Sequence, residues 1–234
     1  MTINITVPTS YEQLTQEQLR YVYFLLSTGH YEPDQVKALC LIRWGKLTDE
    51  QMEVLKPSQV AAFLPVMDYL VEVPDRPVRL TPLHGHEACH AQLQGVPFRS
   101  YLDLENLYQG YLHTQDGSLL NQMAGILYGA PMVLTPAEQY AVFVWFAAVK
   151  KLFGVRFPNF FVHSPVEKED KGSGATYNEL RKAMNTQIRA LTKGDITKEA
   201  EILAMDVWRA LTELDAQAEE YNELKKISSQ HGKK

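Results

Sequence analysis

An all-α fold of about nine helices follows from three features of this sequence. Capping-box patterns recur along the chain, glycines stand where helices should stop, and apolar residues return at spacings of three and four. A period-two pattern is confined to one stretch.

Thr15-Gln16-Glu17-Gln18 is a capping box, in which the Thr hydroxyl and the Gln side chain satisfy free backbone donors. The helix behind it runs to about Ser27, with Leu19, Val22, Tyr23 and Leu26 on one face and Gly29 at the C-terminal cap. A second helix fits Asp34 to Trp44 and ends at Gly45, and Thr48-Asp49-Glu50-Gln51 caps a third. Ser58 opens a fourth, which Pro65 should kink or end.

The stretch 69–83 reads YLVEVPDRPVRLTPL, with alternating apolar residues interrupted by prolines. It predicts two short strands or an extended hairpin, and the best internal boundary. Helices resume at Tyr101 to His113 and Ser118 to Tyr128, joined by the turn signal Gln115-Asp116-Gly117. Thr135-Pro136-Ala137-Glu138 combines a capping box with Pro at the first helical position. The helix it opens, to Phe153 and a stop at Gly154, is apolar on nearly every side and should be the central core helix. After the apolar segment VRFPNFFVHSP comes the charged, Gly-rich run 167–176, expected as a flexible loop. Thr176 to Glu179 caps a helix to about Leu191, and Lys193-Gly194 closes it. The last helix spans Thr197 to about Lys226. Val207, Leu214 and Tyr221 recur every seven residues there, with Leu203, Leu211, Ala218 and Leu224 beside them. That stripe suits a core-facing helix or a short coiled-coil seam.

The expected organisation is therefore one compact domain. It comprises an N-terminal helical region (1–68), a connecting segment (69–99), a central helical core (100–166), the loop (167–176), a C-terminal helical pair (177–226) and a disordered tail (227–234).

Composition sets the outer bounds. The 234 residues carry 28 acidic and 23 basic side chains, a net charge of −5, so no broad positive field invites nucleic acid. The longest apolar run, Tyr140 to Val149, has ten residues, against the roughly 20 a membrane span needs. Two cysteines, Cys40 and Cys89, and an opening without a basic stretch before an apolar run point to a reducing, cytoplasmic setting.

One motif looks enzymatic. His86-Glu87-Ala88-Cys89-His90 matches H-E-x-x-H, which on a helix sets two imidazoles on one face to share a zinc ion, with Glu87 as general base for a metal-bound water. His84 would enlarge the cluster. Against this, no third ligand stands at a recognised spacing. Leu93 and Val96 occupy the positions a metzincin extension needs as Gly and His, and Gly110 the position of a thermolysin-type Glu. Pro82 and Gly85 leave at most about one turn of helix ahead of His86. A Cys89 nucleophile paired with His86 or His90 is disfavoured, because a working base approaches from another element. The preferred reading is no catalytic site, no metal and no cofactor. The alternative is a zinc metallopeptidase or zinc-binding protein using His86, His90 and His84, with Glu87 catalytic.

Arg181, Lys182 and Arg189 form a mild basic face, best read as solvated. Aromatic residues crowd the stretch from Tyr101 to Phe161. Most should be core, with a surplus available as a partner patch. The partner-binding candidates are Phe157, Phe160, Phe161, Trp208 and Tyr221.

Three segments carry a resemblance: PTSYEQLTQEQLRYVYFLLS, YLHTQDGSLLNQMAGILYG and TKGDITKEAEILAMDVWRALTELDAQAEEYNELKK, about a third of the chain. Together they resemble a family of helical proteins encoded in phage and prophage gene clusters beside tail and other virion genes. No active site is assigned in that family, so it implies no functional residues here. What the resemblance implies is a role in tail or virion assembly, as an assembly chaperone or minor structural component. The expected partners are virion or tail proteins, or a second copy of the chain. The expected location is the cytoplasm of a bacterial host or the virus particle.

Overall fold

The computed structural model describes residues 6–162 and 177–231 and is all-α. Its α-helices are α1 (Gln16–Ser27), α2 (Pro33–Trp44), α3 (Asp49–Val54), α4 (Pro57–Phe63), α5 (Phe98–Thr114), α6 (Gly117–Tyr128), α7 (Pro136–Arg156), α8 (Pro158–Val162), α9 (Tyr177–Thr192), α10 (Glu199–Ala204) and α11 (Val207–His231). Short 3-10 turns cover Tyr11–Gln13, Leu64–Val71 and Ile196–Lys198. The expected loop 167–176 and the capping residue Thr176 lie outside the described residues.

The capping boxes read at Thr15, Thr48 and Thr135 are made, while α4 starts at Pro57 with Lys56 as its N-cap, ahead of the expected Ser58. The Thr15 hydroxyl accepts from the Gln18 amide and Gln18 Oε1 accepts from the Thr15 amide. Thr48 with Gln51, and Thr135 with Glu138, repeat the exchange. Each such cap stabilises its helix by about 1 kcal/mol. Gln115 takes a left-handed conformation to end α5, and Asp116 then caps α6 by accepting from the Ser118 amide. α5 and α6 therefore form a tight helical hairpin.

α7 organises the interior. Val142, Trp145, Phe146, Val149 and Phe153 enter a core built from α5, α6, α10 and α11. Ala141 and Val144 enter a second core with Tyr23, Val36, Leu41 and Met67 from the N-terminal region. The helix is apolar all round because it serves two cores at once. Tyr128 also ties the two together: its hydroxyl donates to the Leu80 carbonyl.

Four expectations need correction. No hairpin forms over 69–83, and no strand exists among the described residues. Tyr69 to Val71 finish a 3-10 helix, and Pro74, Pro77 and Pro82 remove donors a strand ladder would need. α7 passes through Gly154 and ends at Arg156, so that glycine is no stop. The helix expected from Thr197 onward is broken at Met205 and Asp206. There Met205 is extended, and Asp206 Oδ1 accepts from the Trp208 and Arg209 amides, starting α11 afresh. Beyond Lys226, α11 continues to His231, so residues 227–231 of the expected disordered tail are helical.

Candidate functional site

The His86 to His90 segment is not helical. Leu83 and His86 exchange both backbone hydrogen bonds, at 3.0 and 2.9 Å, around His84 and Gly85, whose φ angles are 49° and 82°. Two consecutive positive φ values are the pattern of a type I′ two-residue turn. The chain then runs irregularly through residues 87–90.

Three polar side chains in and beside the motif, those of His84, Glu87 and His90, have local partners. His84 Nε2 lies 3.2 Å from Glu138 Oε1 on α7 and donates to it. Glu87 Oε2 accepts from the Thr81 hydroxyl at 2.6 Å. His90 Nδ1 accepts from the Gln92 amide at 3.3 Å. His84, His86, Glu87 and His90 are exposed. Among the described residues, no group of three or more His, Cys, Asp or Glu side chains is placed to hold a metal ion. Burial pushes the Cys89 thiol above its ordinary range, opposite to what a thiolate nucleophile needs.

The segment acts instead as a strap between elements. Trp145 Nε1 on α7 donates to the Ala91 carbonyl at 2.9 Å, and Trp208 Nε1 on α11 donates to the Gln92 carbonyl at 2.6 Å. The Cys89 amide donates to the Leu127 carbonyl at the end of α6. Farther along, the Phe98 amide donates to Met205 and the Val207 amide to Val96, while Asp206 Oδ2 accepts from the Gly95 amide at 2.7 Å. The indole N–H groups of the buried Trp145 and the half-buried Trp208 both find their acceptors in this strap.

The aromatic candidates divide sharply. Phe157 and Phe161 are buried, and Phe160 and Trp208 pack against the same core. Trp208 meets Phe153 and Phe157 edge-on, with centroids 5.6 Å away in each case. Asp215 on α11 holds the start of α8, accepting from the Phe160 amide at 2.9 Å. The exposed aromatic patch expected over Phe157 to Phe161 is therefore interior packing.

Tyr221 alone of the five is exposed, at 64%, with Leu224 beside it at 67%. Both prolong the stripe whose earlier members Val207, Leu211 and Leu214 are buried. From Glu219 to Ser228 only Asn222 is half-buried and the rest are exposed. The outer part of α11 carries Glu219, Glu220 and Glu223, followed by Lys225 and Lys226.

No family model, curated protein or solved structure matches the chain. The site therefore stands on its own geometry. The basic side chains Arg181, Lys182 and Arg189 are exposed on α9. Among the described residues, no helix is long and apolar enough to cross a membrane.

Proposed function

We propose that this protein is a non-enzymatic interaction protein that holds another protein chain through the outer half of α11, in phage tail or virion assembly. The observation that carries the reading is the apolar stripe of α11, which leaves the core and continues over Tyr221 and Leu224 into solvent. Single exposed apolar residues are ordinary on protein surfaces. These two differ because they continue a seam whose inner members are packed, the arrangement by which a helix lies in a partner's groove. At about 3.6 residues per turn Glu220 flanks that stripe on one side and Lys225 on the other, so its rim carries both signs of charge. The likeness of three segments to phage-encoded helical proteins supports a virion or tail protein as that partner, met in the bacterial cytoplasm or in the particle.

Affinity purification from phage-producing cells tests this reading. The tagged wild-type chain should retain an identified virion or tail protein, and a Tyr221→Glu/Leu224→Glu variant of equal stability should lose it. Retention of no virion protein by the wild type, or equal retention by the variant, removes the basis of the reading.

A further inference from the structure

A cavity of about 590 Å³ opens between α5 and α6, under the turn that follows α6. It lies on elements separate from the outer half of α11. Asp103 and Asn106 of α5 and Gln122 of α6 supply its polar wall, and Leu107, Ile126 and Met132 its apolar wall. Among the described residues, no lysine, arginine or histidine lines it. Asp103 is exposed and has no ion pair with any described residue.

A second source of negative potential meets the same space. α6 ends here, with Gly129 as a left-handed C-cap at φ 69° lining the cavity. The last carbonyls of a helix lack intrahelical donors and form the negative end of its dipole. At α6 the Leu127 carbonyl is taken by the Cys89 amide, so the others at that end fill this role. The turn that roofs the cavity is fixed: Asn121 Oδ1 accepts from the Leu134 amide and from Gln139 Nε2, both at 3.2 Å. A carboxylate and a helix C-terminus thus share a pocket with an aliphatic wall and, among the described residues, no cation to neutralise them.

We propose that this cavity binds an alkyl cation: a guanidinium or ammonium head on an unbranched aliphatic stem. The head donates charge-assisted hydrogen bonds to the Asp103 carboxylate and to the carbonyl end of α6, and the side-chain oxygens of Asn106 and Gln122 offer further acceptors. The stem lies along Leu107, Ile126 and Met132, as long basic side chains do on apolar surface. Such a cation arrives either as a lysine or arginine side chain of another protein or as a free small amine.

Titration of the full-length, isotope-labelled protein with n-butylguanidinium tests the site through the amide resonances of Gly125, Gly129 and Met132. These should shift saturably. Pentanamide, the neutral planar counterpart, should bind at least about tenfold more weakly, as should n-butylguanidinium to an Asp103→Asn variant, the order of magnitude of one charge-assisted hydrogen bond. Far-UV circular dichroism confirms that the variant is folded, and Asp103→Glu should retain binding. A capped Gly-Arg-Gly peptide that binds as tightly as n-butylguanidinium identifies a protein side chain as the source of the cation. A peptide excluded while the small cation binds identifies a free amine. Unshifted resonances, equal binding of pentanamide, or unchanged affinity in Asp103→Asn overturns the proposal.

Discussion

The two halves of α11 carry one seam but meet different surroundings. Over the first half, Val207, Leu211 and Leu214 are buried against α5, α8 and α9, and Trp208 reaches the Gln92 carbonyl. Over the second, Tyr221 and Leu224 stand in solvent at the same heptad spacing. The helix is 25 residues long, about 37 Å at 1.5 Å per residue, and the core is shorter than that. Spacing therefore says which face of a helix is apolar, while the length of its neighbours decides how much of that face the molecule itself can cover.

The largest test of this contrast is substitution along the seam. Leu211→Ala should lose about 3 kcal/mol of stability in urea denaturation, since it opens a cavity at a fully buried position. Leu224→Ala should stay within about 0.5 kcal/mol of wild type. Equal losses at both positions would mean that the outer half is packed after all.

Asp206 marks where the packed half begins, and its two oxygens serve different elements. Asp206→Ala should cost about 2 kcal/mol, by uncapping α11 and leaving the Gly95 amide without its acceptor. Asp206→Asn should recover part of that loss, because the amide oxygen still caps. A full loss in Asp206→Asn would show that the charge, not the cap, matters.

Glu138 offers a smaller effect with a defined pH dependence. Burial would raise its carboxyl, but hydrogen bonds from Thr135 and the nearby His84 outweigh it and hold the group below its ordinary range. A folded-state pKa below the unfolded value contributes stability that is full above the unfolded value and fades as pH falls through the folded one. Glu138→Gln should cost about 1 kcal/mol at neutral pH. The gap to wild type should close as pH drops below about 4. A gap independent of pH would assign the loss to packing.

The smallest effect belongs to the histidines. His86→Ala with His90→Ala should change stability by less than about 0.5 kcal/mol and leave the zinc content of the purified protein unaltered. One zinc per wild-type chain, lost in the double variant, would restore a metal role to the segment.

The helical skeleton was legible because its signals are local. Thr15, Thr135 and Asp116 cap through residues two or three positions away, and an all-round apolar α7 can only be central. Over 69–83 the apolar alternation is a strand signal, but Pro74, Pro77 and Pro82 remove the backbone donors that a ladder needs. The break at Asp206 was missed because it depends on the Gly95 to Phe98 strap, far away in sequence. The aromatic cluster was legible as composition but not as exposure. Phe157, Phe161 and Trp208 close a single interior cluster, and only Tyr221 outlasts the core. His86 to His90 matched a motif whose chemistry needs a helix, and Gly85 at φ 82° sets a turn there instead.

Site-specific photo-cross-linking tests the central claim most directly. A benzoylphenylalanine at Tyr221, on the outer half of α11, is compared with one at Thr212, exposed on its packed half. In phage-producing cells, irradiation should join position 221, and not position 212, to a virion or tail protein. No adduct at 221, or the same adduct from both positions, would contradict a partner-binding outer half of α11.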